Sequence, residues 1–363
     1  MMNITDCGVI IIGGGPAGST CAWRLRKHGI ESHILDTEDF PRTKLCAGWI
    51  TPAVAQNLEM APEVYPHRLV TFSRIYGEYF GKKSARKIVF NTTQHSIRRY
   101  EFDNWLLERS GAHLHKHRVK EIRKDGDGYI IDGRFRCKIL VGAGGTHCPV
   151  FRTFFRDVNP RSKEYQVGAL EEEFAYDYKD DNCYLWFAEK GLVGYSWYVP
   201  KGNGWINVGI GGFSEYLKQG RLCLRDHWEL FKRKLADLGL ITNYAYNPKG
   251  HTYHVRETAK VGQLGNAYIV GDSAGLATRD LAEGIGPAVE SGIDAADAIA
   301  TGKPFSLKRM TKYSSIGPGL MTELVDRCFD RKGVFFKNFI YARKWRTKEP
   351  SSPAVSGQTG EFG

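Results

Sequence analysis

Residues 7–18 read Cys7-Gly8-Val9-Ile10-Ile11-Ile12-Gly13-Gly14-Gly15-Pro16-Ala17-Gly18. The apolar run 7–12 enters the glycines without a polar interruption, which is the pattern of a buried strand. Gly13, Gly15 and Gly18 fit G-x-G-x-x-G. In that pattern the first glycine turns the chain, the second admits a pyrophosphate, and the third lets helix and strand approach. A helix is predicted over 17–28, stopped by Gly29, and a strand over 31–36 completes a βαβ-type opening. The helix start at Pro16 and Ala17 turns free amides and a positive dipole end toward phosphates. Asp36 closes the second strand, at the spacing where a carboxylate accepts hydrogen bonds from adenosine ribose hydroxyls. The competing reading is a structural glycine turn, which leaves the joint placement of strand, helix and terminal acid unexplained.

Further along, a helical apolar pattern covers 102–109, and 129–131 and 138–141 read as strands returning to the first sheet. Between about 160 and 256 the pattern becomes alternating and aromatic, with strands at 184–187, 194–199 and 205–211, the mark of an antiparallel sheet. A basic amphipathic helix at 225–238, a buried strand at 267–270 and a long helix at 284–300 follow. No internal repeat is present. The expected architecture is α/β. A discontinuous Rossmann domain (1–55, 90–160, 257–305) carries an inserted antiparallel β-sheet substrate domain (56–89, 161–256). A C-terminal helical segment (306–347) and a disordered Ser/Gly/Pro-rich tail (348–363) complete it.

Hydrophobic residues make up 42% and charged residues 25% of the chain, a globular mix that argues against wholesale disorder and against an integral membrane protein. No apolar run approaches the roughly 18 to 20 residues that span a bilayer, and no basic segment precedes the 9–12 cluster, so a cytoplasmic protein is expected. The eight cysteines are scattered without a CxxC pair or a zinc-spaced His/Cys cluster, which predicts reduced thiols and no metal. The net charge of +11 favours anionic partners, such as phosphorylated cofactors, acidic head groups or an acidic electron carrier. No basic run with interleaved aromatics follows a nucleic-acid module, so no nucleic-acid partner is expected.

A second Gly/Asp turn identifies the dinucleotide. Tyr268-Ile269-Val270-Gly271-Asp272-Ser273-Ala274-Gly275 resembles the G-D-A-A-G segment of flavoproteins of the hydroxylase and reductase superfamily, with a glutathione-reductase-like FAD-binding domain. The resemblance implies FAD, with Asp272 on its ribityl chain. Glu283-Gly284-Ile285-Gly286-Pro287 opens the long helix, whose dipole would stabilise negative charge on a reduced isoalloxazine, placing Gly284, Ile285 and Gly286 at the cofactor. Taken alone, an Asp N-cap before a core helix explains these residues equally well. Residues 97–106 are similar to the superfamily's R-x-x-F-D-x-x-L helix start, and Arg99 falls where its arginine contacts the cofactor. The plain alternative is a solvated arginine ahead of a helix whose Phe102, Trp105 and Leu106 face the core. Residues 141–150 resemble the G-A-D-G-x-x-S-x-V-R segment, but Gly144 stands in place of Asp and Cys148 in place of Ser. That departure weakens the carry-over of the Asp contacts; Gly144 is kept as a cofactor-binding position.

Two further segments bring the resemblance to the geranylgeranyl reductase family, which reduces isolated carbon–carbon double bonds in prenyl chains. Lys44-Leu45-Cys46-Ala47-Gly48-Trp49-Ile50-Thr51-Pro52 resembles its K-x-C-G-G-x-x-x-P loop, and this places Lys44, Ala47 and Gly48 at the cofactor. Tyr195-Ser196-Trp197-Tyr198-Val199-Pro200 is similar to its Y-x-W-x-F-P motif. Hydride transfer to an unactivated alkene needs a proton donor on the far face of the substrate, and the Cys46 thiol, protonated at neutral pH, suits a dry pocket. The bland reading of Cys46 is a buried structural cysteine. Tyr195 and Trp197 alternate along a strand and project to one face, either lining an apolar substrate tunnel or filling the core between sheets. A single dinucleotide fingerprint means that electrons come from transiently docked NADPH or from a small acidic redox protein.

Residues 328–348 resemble a basic amphipathic helix pair, which lies on the inner face of a membrane or packs its aromatics on the domain. Three other functions fit parts of the pattern. They are an aromatic hydroxylase (monooxygenase), a halogenase with Lys82 or Lys83 as its amine, and a non-catalytic flavin-binding protein.

Overall fold

The computed structural model of the chain describes residues 4–81, 84–257 and 261–310. Strand Thr5–Ile12 lies inside an eight-stranded sheet, with parallel neighbours Phe135–Gly142 on one side and His33–Asp36 on the other. His113–Lys116 and Ala267–Ile269 extend the parallel core outward. Being central and covered on both faces, the strand reads as a continuous apolar run, and Ile10 and Ile11 are fully buried. Each such side chain contributes about 2 kcal/mol by leaving water. Helix Pro16–Lys27 follows the turn, and helix Ile285–Thr301 packs beside it so closely that a Cβ at Gly292 would sit 2.6 Å from the Ala17 carbonyl oxygen. Arg24 reaches Asp297 at 2.6 Å across the two helices.

A seven-stranded sheet runs in the order Lys249–His254, Gln166–Ala175, Trp205–Phe213, Gly194–Lys201, Cys183–Phe187, Arg74–Phe80, Ala85–Asn91. Its pairs are antiparallel except Cys183–Phe187 with Arg74–Phe80, which run parallel. The purely antiparallel expectation is corrected there. The hairpin 74–91 enters from a distant part of the chain and docks on the free edge of 183–187, so no short turn fixes its direction. The strands have two different faces. Tyr198, Ile206, Val208 and Ile210 pack against Trp228, Phe231 and Leu235 of helix Leu224–Asp237. Ala169, Leu185, Trp197 and Val199 join a cluster with Trp49 and Phe72 on the opposite face.

Most predicted elements lie within a few residues of the observed ones. Helix Arg99–Ser110 begins three residues before the predicted 102, which puts Arg99 in its first turn. Strands Gln166–Ala175 and Lys249–His254 had no sequence expectation, because acidic and basic residues break their apolar alternation. Beyond residue 310, the expected helical segment 306–347, the basic stretch 328–348 and the tail 348–363 lie outside the described residues, as do Lys82 and Lys83. Among the described residues no helix is long and apolar enough to cross a membrane, and no His/Cys/Asp/Glu group could hold a metal.

One edge of the parallel sheet concentrates imidazoles. His33 Nδ1 lies 2.9 Å from His115 Nε2, and the His113 ring centroid is 4.9 Å from that of His33. Burial first, and the neighbouring imidazoles second, lower the pKa values of His33 and His115. The unfolded chain therefore binds these protons more tightly than the folded one. Their contribution is fully present above the ordinary imidazole value of about 6.5 and is lost as pH falls through it. Thermal denaturation should give a Tm that drops from about pH 7 to about pH 5, with a shallower drop in a His33→Asn/His115→Asn variant; equal slopes would contradict the cluster's role.

Candidate functional site

A cavity of about 870 Å³ is lined by residues from both sheets and from the loops between them. Its first wall is the glycine turn. Gly13 has φ +108°, and a Cβ there would overlap the Ala143 carbonyl, just as one at Gly18 would overlap the Gly13 oxygen. Gly15 differs, because the nearest protein atom to its would-be Cβ is Arg42 Nη2 at 3.5 Å. The missing side chain at Gly15 leaves space on the cavity side, where Pro16 and Ala17 begin a helix with no side-chain cap and no acidic residue in its first turn. Those free amides suit an anion. Asp36 Oδ2 accepts from Gly14 N at 2.7 Å and Oδ1 from Glu38 N at 3.0 Å, so the carboxylate is fixed at the cavity wall.

The second wall is the Gly271–Ser273 turn. Asp272 Oδ1 is enclosed and has no hydrogen-bond partner among the described residues, and burial raises the carboxyl's pKa against the pull of Lys44, Arg99 and Arg161. Desolvating such a group without a partner costs about 1–3 kcal/mol, which a hydroxylated ligand would offset. Gly284 and Ile285 start the long helix beside it and line the cavity. Lys44, Cys46, Ala47, Arg99, Gly144, Tyr195 and Trp197 also line it. Gly18, Gly48 and Gly286 do not; they are buried behind the wall. Gly48 N donates to Cys46 Sγ at 3.3 Å, and Lys201 Nζ donates to the Cys46 carbonyl at 2.9 Å, so the loop's shape is set from two sides.

Arg99 is not solvated. It is buried in a two-bond pair with Asp103 at 2.6 and 2.7 Å, and Arg42 reaches the same carboxylate at 3.2 Å. Tyr195 donates to the Leu281 carbonyl, and Trp197 Nε1 donates to Asn207 Oδ1 at 2.6 Å. Burial pushes the Cys46 thiol up to about 11, with Arg99 opposing, so it stays protonated at neutral pH. Glu283 is raised well above the carboxylate range by burial, with Asp280 and Glu171 adding to it.

Arg42, Glu171, Glu283, His251 and Tyr253 also line the cavity, and no site reading of the sequence included them. The available signal for Glu171 was its place two residues after Ala169 on the inward phase of the strand. The run Glu171-Glu172-Glu173 instead reads as a solvated strand end.

The two walls fit an FAD. Pyrophosphate would lie at Gly15, Pro16 and Ala17, ribose at Asp36, and the ribityl chain at the partnerless oxygen of Asp272. Asp272→Ala removes a desolvated carboxyl, so the apoprotein's Tm should not fall while the FAD Kd weakens about 10- to 100-fold. An unchanged Kd in fluorescence titration would remove Asp272 from the cofactor site.

A family model described as an NAD(P)-binding Rossmann-like domain matches residues 11–49. An uncharacterized protein of Methanosarcina barkeri is 30% identical over 316 residues, covering 83% of this chain and 76% of the relative. Digeranylgeranylglycerophospholipid reductase 3 of Methanosphaera stadtmanae is 25% identical over 94% of this chain and 87% of its own length. Menaquinone reductase of Mycolicibacterium smegmatis is 27% identical over 90% of this chain and 82% of its own. Among solved structures, a geranylgeranyl bacteriochlorophyll reductase-like protein from Thermoplasma acidophilum superposes with a TM-score of 0.70 at 20% identity, covering 94% of this chain and 88% of that one. That likeness speaks for the fold.

Proposed function

Because the chain belongs to the geranylgeranyl reductase family of FAD-dependent oxidoreductases, we propose that it reduces carbon–carbon double bonds of a prenyl or other lipophilic substrate. The relatives named as reductases of a digeranylgeranyl lipid and of menaquinone support a prenyl-bearing substrate. The observation that carries the reading is the position of Cys46, a thiol kept protonated by burial on the wall of a cavity that the apolar cluster of Ala169, Tyr195, Trp197 and Leu281 also lines. FAD, when bound and reduced, supplies the hydride.

The chain's own residues do the rest. Ala169, Tyr195, Trp197 and Leu281 form the apolar wall that would orient the chain of the substrate and exclude water. Cys46 Sγ would give its proton to the carbon that does not receive the hydride. The Arg99 charge, which already lowers the thiol's pKa against burial, would stabilise the thiolate left behind. Asp103, whose carboxylate Arg42 also contacts, holds Arg99 in place for that task. The Gly48 N–H and the Lys201 ammonium keep the Cys46 loop from moving as charge changes.

Electrons would come from NADPH or from a small acidic redox protein attracted by the net charge of +11. Peripheral contact with an anionic membrane face, through 328–348, would bring in a lipid substrate. The folding unit proposed for the cofactor comprises 1–55, 90–160 and 257–305, and the unit for substrate comprises 56–89 and 161–256.

The test uses holoprotein reduced under anaerobic conditions and then mixed with a polyprenyl compound. Flavin colour should return, and mass spectrometry should find the lipid heavier by H2 per bond reduced. Cys46→Ser should keep its flavin and lose roughly 100-fold or more of that rate, the range of a general acid. Turnover equal to wild type would remove Cys46 from the mechanism. Because the thiol's pKa is about 11, its alkylation by iodoacetamide should keep accelerating with pH up to about 10, since thiolate is the nucleophile; a plateau near neutral pH would contradict the burial account.

A further inference from the structure

Resting on the reductase reading above, we propose that Glu171 and His251 form the route by which the proton consumed in the reduction enters the cavity. The two residues sit on neighbouring strands of the seven-stranded sheet, on the face that lines the cavity. One cross-strand row on that face reads Glu171, Gly209, Trp197. A Cβ at Gly209 would sit 2.2 Å from a ring carbon of Trp197 and 2.7 Å from Glu171 Cβ. The missing side chain lets carboxyl and indole lie side by side.

Each oxygen of Glu171 has its own neighbour. Oε2 accepts from Asn207 Nδ2 at 3.1 Å, and Asn207 Oδ1 in turn accepts from Trp197 Nε1 at 2.6 Å. Oε1 lies 3.5 Å from His251 Nδ1, beyond a formed hydrogen bond, and that nitrogen is buried with no hydrogen-bond partner among the described residues. The Glu171 side chain is 1% exposed and that of His251 is 24% exposed, so the imidazole reaches from a dry carboxyl toward water. Its ring stacks on Tyr253, with centroids 5.5 Å apart and planes at 16°. The stack holds the imidazole across that path.

The surrounding charges leave Glu171 free to carry a proton. Among the charges Lys201 lowers the Glu171 pKa most, although its ammonium is bound by Glu173 at 2.5 Å and by the Cys46 carbonyl. Glu173 also accepts from Arg98 at 3.1 Å. From the other elements, Lys44 lowers the Glu171 pKa, while Glu171 itself acts on Glu283, Tyr253 and Cys46. Burial is the largest effect and raises the carboxyl to about 7, where it both holds and releases a proton at neutral pH. Burial, with Lys44, lowers His251 to about 4, so the imidazole passes protons as a neutral ring.

The proton balance closes. Each reduced bond takes one hydride from reduced flavin and one proton from Cys46. The Cys46 thiolate regains its proton from the Glu171 carboxyl across the cavity that both groups line. His251 returns a proton to Glu171 from Nδ1 as it takes one from water at Nε2, and proton exchange with water restores the Nδ1–H tautomer before the next turnover. One solvent proton is consumed, and the protein's charge is unchanged.

The test is made on the full-length holoprotein carrying 13C-labelled histidine, with the His251 signal assigned by its loss in His251→Gln. That signal should show an inflection near pH 7, the Glu171 value, and Glu171→Gln should abolish it. Gln can still accept from Asn207 through its amide oxygen, and flavin content and Tm verify that the variant is folded. In steady-state reduction of a polyprenyl compound, with dithionite re-reducing the flavin, the wild-type rate should fall as pH rises through 7, because the Cys46 thiolate is then no longer re-protonated between turnovers. Glu171→Gln should lower the rate at least about tenfold and flatten the profile, and His251→Gln should flatten it likewise. Absence of the inflection, or a wild-type rate and profile in Glu171→Gln, would overturn the route. If wild-type protein is not reoxidised by any prenyl compound, the reductase reading fails, and the histidine inflection still decides separately whether the two residues are coupled.

Discussion

The contact between Gly18 and the Gly13 carbonyl sets the rest of the molecule. No side chain fits between them, so the helix that starts at Pro16 is pressed against the turn at the end of the central strand. This closeness aims the uncapped amides of that helix at the cavity. It also positions Ala17 for the long C-terminal helix, whose Gly292 tolerates no more than a hydrogen beside the Ala17 carbonyl. The second helix therefore starts, at Gly284 and Ile285, on the opposite wall of the same cavity. Two helix starts converge on one space because of two backbone contacts that only glycine permits.

The inserted sheet then supplies chemistry through the period of its strands. One phase of residues 195–211 is apolar and buries itself against helix Leu224–Asp237. The other phase carries Tyr195, Trp197, Asn207 and Gly209. Glu171 and Glu173 from the next strand share this second face. A row of acids and amides on the buried face of a sheet is expensive unless its members satisfy one another, and here Lys201, Arg98 and Asn207 do so for all but part of Glu171. Glu283, His251 and Asp272 each keep a buried polar atom without a hydrogen-bond partner among the described residues, and all three border the cavity beside Glu171.

The cofactor half was legible in the sequence because its constraints are local. A continuous apolar strand, a glycine turn, a helix and a terminal acid follow one another within 7–36, and each leaves a distinct signal. The seven-stranded sheet was less legible. Its strands at 166–175 and 249–254 are rich in charged residues whose partners are distant in sequence, such as Glu173 with Lys201 and Glu171 with Asn207. Arg99 kept a competing reading as a solvated residue ahead of its helix until Asp103, one helical turn later, proved to be its buried partner. The parallel pairing of 183–187 with 74–80 could not be inferred from alternation, since period-two patterning says which face a residue takes and nothing about strand direction.

The central claim is that two separate turns grip one FAD, at its diphosphate and along its ribityl chain. Equilibrium titration of apoprotein with FAD and, separately, with FMN tests it most directly, because FMN has the ribityl chain and lacks the adenosine half that Gly15 and Asp36 would hold. The account predicts one FAD bound per chain with its fluorescence changed on binding, and much weaker binding of FMN. Equal affinity for both flavins, or a protein that remains colourless with excess FAD, would contradict it.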